Sequence, residues 1–214
     1  MNKSRAVTVA REYGSGGGPI AQKLADRLGW ELLDNALITR IARSAKVDRR
    51  VCEHYDEAVD SWLRRLTKAF RRGAFEAVGD PVFDGEAMAA QSRQLIEEAV
   101  RLGNCVIVGR GGQCILQGRP DVFHVYVYAP IEERVRRVTE AFGAERATPE
   151  NIRAMDRDRL AYVKHHYHCD WTNPHLYDAM FSSMLGEETV VNAILSAMEL
   201  NPVKVPEDAF AKRA

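Results

Sequence analysis

Four glycines crowd one short stretch, Gly14, Gly16, Gly17 and Gly18, within "REYGSGGGPIAQKL" (Arg11–Leu24). Glycines at this density let backbone amides turn inward around an anion, and a following helix adds the positive end of its dipole. That chemistry is phosphate binding. A second set of residues is cationic. Arg110 stands between glycines in "VGRGG", Arg134 and Arg137 lie in "PIEERVRR", and Arg157 and Arg159 lie in "DRDR". A planar guanidinium grips two phosphate oxygens at once. Phosphoryl transfer needs positioning and charge neutralisation with little covalent work, so a glycine loop and a set of arginines suit it together.

The loop departs from a familiar pattern. A Walker-type phosphate loop reads G-x-x-x-x-G-K-[ST]; its lysine reaches the terminal phosphates and its hydroxyl binds Mg²⁺. Aligned without gaps, this chain has Gly17 in the lysine slot and Pro19 in the hydroxyl slot. Arg11 and Lys23 are the nearest cations, and Lys23 falls on the helix face, too far along to help. Amides bind ground-state phosphates, whereas a lysine follows the charge that develops during transfer. The substitutions are therefore expected to weaken catalysis more than binding, and Gly17→Lys with Pro19→Thr to restore turnover.

The elements that must position these residues can be read from periodicity. Ala6–Ala10, "WELLD" ending at Asp34, Cys105–Gly109, Val122–Ala129 and Ala179–Ser182 read as strands. Helical spacing is expected over Gly18–Leu28, Ala36–Ala45, parts of Asp48–Arg72, Glu86–Leu102, Pro130–Phe142, Thr148–Tyr167 and Glu187–Glu199. "GAFEAVGDPVFDG" (Gly73–Gly85) and "RGGQCILQGRPD" read as loop and turn. Apolar strands separated by helices imply a parallel sheet covered on both faces, with ligands at the carboxyl ends of its strands. Those ends carry Arg11–Gly18, Asp34, Gly109–Gly112 and Ala129–Pro130.

With 30 basic and 30 acidic residues, the chain has no bulk charge for nucleic acid. It has no apolar run long enough for a membrane helix, and "MNKSRAVTVA" does not read as a signal peptide. Cys52, Cys105, Cys114 and Cys169 form no CxxC pair, and Cys105 reads as a buried thiol. A reducing cytoplasm is the natural compartment. "HHYHCDW" (His165–Trp171) could offer metal ligands, but no second cluster completes a zinc site. A hinge with Trp171 packed and the histidines partly exposed fits it better. Arg136 and Arg153 read as a solvated helix face.

Six stretches, in order, resemble the cytidylate kinase-like family of P-loop nucleoside monophosphate kinases: "VTVAREYGSGGGPIAQKLADRLG", "LLDNALITR", "GNCVIVGRGG", "VYVYAPIEERVRR", "DRDRLAY" and "YDAMFSSML". They run from Val7 to Leu185. The resemblance implies a single α/β domain over residues 1–214 with the P-loop kinase fold. That fold is a five-stranded parallel sheet of order 2-3-1-4-5, helices on both faces, a monophosphate-binding helical region near 35–102 and a helical lid near 146–168. The lid and the Gly73–Gly85 region are expected to move.

Residue by residue, the resemblance implies that Gly14, Ser15, Gly16, Gly17 and Gly18 cradle ATP, with Ser182 and Ser183 beside the adenine. Asp34, Asn35, Arg40, Arg110 and Asp158 would line the acceptor nucleotide pocket. Arg134 and Arg137 would approach ATP phosphates, and Arg157 and Arg159 would close over the transferring group. Asp56 and Glu57 resemble a further acidic element of the family. Mg²⁺ is expected only with ATP, held mostly by phosphates and water. Two departures stand out. An aspartate that follows the Gly-Arg pair in cytidylate kinases is Gly111 here, and the arginine of the family's usual "GSGGRE" is Gly18. The implied reaction is phosphoryl transfer from ATP to CMP or dCMP. A catalytically weakened nucleotide-binding regulator, and a kinase for another small acceptor, fit the same residues.

Overall fold

The computed structural model describes residues 4–34, 37–38 and 85–200. Five strands form one sheet: β1 (Ala6–Arg11), β2 (Glu31–Leu33), β3 (Cys105–Val108), β4 (Val122–Tyr128) and β5 (Ala179–Ser182). Their order is β2-β3-β1-β4-β5. Every pairing is parallel, with Val7 opposite Val106 and Val9 opposite Val125. This is the P-loop kinase sheet expected from the sequence.

Parallel neighbours need long crossovers, and helices supply them. In chain order they are α1 (Gly17–Leu28), α2 (Gly85–Leu102), the single turn α3 (Gly112–Ile115), α4 (Ile131–Phe142), α5 (Pro149–Tyr167) and α6 (Glu187–Leu200). Successive strand residues point to opposite faces. Ala6, Cys105 and Ile107 pack with Leu95, Ile96 and Ala99 of α2. Val7, Val9, Val106 and Val108 pack with Ile20 and Leu24 of α1 and with Val190, Val191 and Ile194 of α6. A strand buried on both faces has no reason to alternate, so these strands read as unbroken apolar runs. Each fully buried Leu or Ile contributes about 1.5–3 kcal/mol, and the two layers hold the strand ends in a common rim.

Caps set the helix limits. Gly29, left-handed at φ 63°, closes α1 by donating its amide to the Ala25 and Asp26 carbonyls. At the start of α5 the Thr148 hydroxyl accepts the Asn151 amide at 3.2 Å, with Pro149 in the first turn. The stretch from Arg110 to Asp121, expected as turns, contains the helical turn α3. Asn35, Arg40, Asp56, Glu57, the helices expected within Asp48–Arg72 and most of Gly73–Gly85 lie outside the described residues. Leu37 and Ile38 are helical, and Gly85 begins α2.

Cys105 is a buried thiol, pushed up to about 12 by burial. Cys114 and Cys169 depart from the expectation, because they form a disulfide across 55 residues. Their Cα atoms lie 6.0 Å apart because the fold seats the end of α5 against α3, a proximity that spacing cannot show. Disulfides are rare in reducing compartments, so the compartment inferred from the missing CxxC pair does not account for this bond. The bond also removes Cys169 from the candidate metal cluster. Trp171 is buried and meets Tyr126 edge-on, while His165 and His168 are exposed. No described helix is long and apolar enough to cross a membrane.

Candidate functional site

β1 delivers the chain to the rim and the glycine loop follows at once. Gly14 and Gly16 are left-handed, at φ 78° and 84°. The space outside them is already filled. A Cβ on Gly14 would stand 2.9 Å from a Val138 methyl, and one on Gly16 would stand 2.7 Å from an Arg137 guanidinium nitrogen. Helix α4 therefore lies directly on the loop. Helix α1 begins at Gly17, so the first amides of that helix, which have no helical acceptor, face the loop. Ser15 is fully buried; its hydroxyl donates to the Glu12 carbonyl at 2.9 Å, and its amide donates to the same carbonyl at 3.3 Å. Ser15 thus shapes the loop with its own polar groups. Gly18 has open space where a side chain would start.

The two α4 arginines have different posts. Arg137 donates to the Ser15 carbonyl at 2.5 Å and to the Ser183 hydroxyl at 2.8 Å, so it joins the loop to the turn after β5. Glu133 steers it from one turn earlier, at 2.8 Å, and is itself held down to about 2 by the Arg136 and Arg137 guanidinia. Arg134 was expected at the ATP phosphates. Its side chain is only 7% exposed and pairs with Asp156 and, at 3.3 Å, with Glu12. It also donates to the Tyr13 carbonyl at 2.8 Å. All three guanidinium nitrogens thus engage protein, and Arg134 acts here as a brace. Asp156 completes that brace by accepting the Tyr13 amide at 2.8 Å, which ties α5 to the phosphate loop.

The "DRDR" motif is divided by helix geometry. Residues two apart on an α-helix are separated by about 200°, so Arg157 and Arg159 leave α5 on opposite sides. Arg159 takes the inner face. It lies 5.2 Å over the Tyr13 ring, donates to the Arg11 carbonyl at 3.4 Å, and has its pKa lowered by burial. Arg157 and Asp158 are exposed.

Across the rim, Gly109, Arg110 and Gly111 are all left-handed, at φ 76°, 53° and 70°. For arginine this costs roughly 1–2 kcal/mol, and such conformations persist where the surroundings hold them. The Arg110 guanidinium stacks 5.7 Å from the Tyr162 ring of α5. Gly111, where the resemblance led to an expectation of aspartate, has no room for a side chain: a Cβ would stand 2.6 Å from the Tyr167 ring. Asp34, at the end of β2, accepts the Leu37 amide at 2.7 Å and so caps the next turn. The Ser182 hydroxyl accepts the Met184 amide at 3.3 Å. Lys23 is remote, paired with Glu187 and Glu188 on the surface. Arg136 pairs with Glu133 and Glu140 on the exposed face of α4, as a solvated residue should.

Arg11 was named only as a neighbouring cation, yet it lies at the centre. Its guanidinium covers Gly109, and its stem covers Gly17, where a Cβ would stand 2.6 Å from the Arg11 Cβ. Burial, then the nearby Arg159, pull its pKa down to about 10, while Asp34 acts in the opposite sense. Arg11, Glu12, Tyr13 and Asp156 are thus the residues that sequence reasoning passed over. The available signal was "REY", three polar or aromatic residues directly after a buried strand.

No three His, Cys, Asp or Glu among the described residues are placed to share a metal. Pro19 has no hydroxyl, Ser15 is turned into the loop, and Glu12 and Asp156 serve Arg134. The described residues therefore do not form a resident Mg²⁺ site.

Comparison with known proteins identifies the family and the fold. A family model described as the cytidylate kinase-like family matches residues 6–184. A cytidylate kinase of Ignicoccus hospitalis is 28% identical over 193 residues, covering 88% of this chain and 95% of that one. A cytidylate kinase of Shewanella frigidimarina is 31% identical over 91 residues, covering 42% of this chain and 40% of its own. Among solved structures, an uncharacterized protein from Eubacterium ventriosum superposes with a TM-score of 0.67 at 23% identity, covering 93% of this chain and all of that one.

Proposed function

Because this chain belongs to the cytidylate kinase-like family, we propose that it is an ATP-dependent nucleoside monophosphate kinase whose acceptor is CMP or dCMP. The observation that carries the reading is the convergence of Arg11, Arg137 and Arg159 on the glycine loop, with Arg110 across the rim. Cations gathered around helix-start amides make a site for a polyanion. In the reaction, a monophosphate oxygen forms a bond to the γ-phosphorus of ATP as the bond to the β-phosphate oxygen breaks. ADP and a nucleoside diphosphate leave, total charge is unchanged, and no proton has to be abstracted from a phosphate dianion. Mg²⁺ enters as part of the ATP substrate.

The chain's own residues divide the work. The α1 amides and Arg137 hold the donor phosphates. Arg110, with Asp34 and the neighbouring Asn35 and Arg40, takes the acceptor. Arg159 meets the group in transit, and Arg134, through Asp156, positions α5 above the loop. Asp158 and Arg157 would reach substrate only after α5 rotates or moves. Gly17 and Pro19 favour a second reading, a nucleotide-binding regulator with a degenerate Walker loop and weak turnover. A nucleotide panel separates the two: calorimetry for binding, then coupled turnover with Mg²⁺-ATP and each monophosphate. Turnover near the ~1–100 s⁻¹ usual for kinases, with cytidine monophosphates preferred, supports the first. Binding without turnover supports the second, and no binding at millimolar nucleotide refutes both.

A further inference from the structure

We infer that Arg11 supplies the phosphate-facing charge of the missing Walker lysine, moved from the start of α1 to the end of β1, an inference that rests on the kinase reading above. Three observations point there. First, positions 11 and 17 exclude one another. A Cβ on Gly17 would meet the Arg11 Cβ at 2.6 Å and Cγ at 3.0 Å. The first two carbons of a side chain cannot swing aside as a flexible tip can, so this loop holds a long side chain at one of the two positions only.

Second, the Arg11 guanidinium lies where a transferring group must pass. The side chain runs from Gly17, at the start of the donor-binding helix, where its stem lies, to Gly109, next to Arg110 on the acceptor side, where its guanidinium ends. Gly109, left-handed at φ 76°, leaves the guanidinium the space that a Cβ would take from it. Third, the charge awaits an anion. Among the described residues no carboxylate oxygen pairs with Arg11 within 4.0 Å, and its near neighbour Arg159 is also a cation, while Asp34 attracts it from further off. Asp156 lies 4.0 Å from Arg159 and offsets part of that charge, and a bound polyanion would offset the rest. Arg11 is then a catalytic residue that touches the terminal phosphate of ATP. Gly17 and Gly18 are not an erosion of the loop, and the reconstruction Gly17→Lys on its own overpacks it.

The test uses Arg11→Met, which keeps an unbranched stem without the charge, and the relocation Arg11→Gly with Gly17→Lys. Calorimetry with ATP and with ADP gives a preference ratio, and the coupled assay gives kcat and KM. Arg11→Met should lower the ATP-over-ADP preference about tenfold and turnover at least about 10²-fold, the scale of an arginine on a transferring phosphoryl group, with a smaller change in KM for the acceptor. Arg11→Lys should recover part of both. The relocated pair should exceed Arg11→Gly in turnover by about tenfold or more, while Gly17→Lys alone falls below wild type.

An Arg11→Met protein whose nucleotide preference and turnover both stay within about threefold of wild type overturns the inference. So does a relocated pair that melts cooperatively yet is no faster than Arg11→Gly. If wild type binds ATP but phosphorylates no monophosphate, the ATP-over-ADP ratio alone decides. Failure of wild type to bind ATP at all removes the kinase reading and this inference with it, whereas unchanged binding in Arg11→Met removes only the inference.

Discussion

Replacing Arg11 by methionine should stabilise the ligand-free protein. The guanidinium is pulled down to about 10, first by burial and then by Arg159, against a smaller attraction from Asp34. For a cation, a folded pKa below the unfolded one means that the charge opposes folding. The penalty is complete at every pH below about 10, including pH 7, and is lost as pH rises from there to the ordinary arginine value. At ~1.36 kcal/mol for each pH unit between the folded value and the ordinary arginine value, the ceiling of this penalty is about 3 kcal/mol. Relaxation and lost packing reduce this, so a gain of about 1–2 kcal/mol is expected. For a chain of this size that raises Tm by roughly 2–8 °C. The assay is thermal unfolding at pH 7 in buffer free of phosphate and sulfate, repeated with saturating ATP. Ligand stabilises the form that binds it more tightly, so the ATP-induced rise in Tm should be larger in wild type. A ligand-free Arg11→Met protein that melts below wild type would refute the view that this charge is held at a cost to stability.

Three further outcomes follow from the rim. Gly111→Asp should destabilise by about 2–4 kcal/mol, since it combines a left-handed φ of 70° with a 2.6 Å approach to the Tyr167 ring; adding Tyr167→Ala should recover the steric part, as read by urea unfolding. Asp156→Ala should cost about 2–4 kcal/mol by leaving Arg134, 7% exposed, with only Glu12 and the Tyr13 carbonyl; loss within 0.5 kcal/mol of zero, by ~denaturant midpoint, would show that the brace is unimportant. Reducing Cys114–Cys169, or replacing both by serine, releases a loop of 55 residues, for which chain entropy gives about 4 kcal/mol; Tm with and without reductant checks it, and a double-serine variant should no longer respond.

The sheet was legible because its cause is local to each strand. Val7, Val106 and Val125 must be apolar on both faces, and a run of such residues between helical patterns has few other solutions. Glycines at 14 and 16 announced the loop, because left-handed backbone and the press of α4 leave no alternative. The division of labour among the arginines was not legible. Arg134 and Arg137 are three residues apart on one helix, yet one braces α5 through Asp156 and the other crosses to Ser15 and Ser183. Arg157 and Arg159 look equivalent in "DRDR", and only the docking of α5 on Tyr13 selects Arg159. The same docking joined Cys114 to Cys169 and closed Gly111 to any side chain. Gly17 read alone is a lost lysine. Seen with Arg11 lying across it, Gly17 is the space that another cation needs. Sequence patterns record what a residue requires of its own backbone and burial, whereas which charges meet depends on distances between elements far apart in the chain, and the folded packing alone sets those.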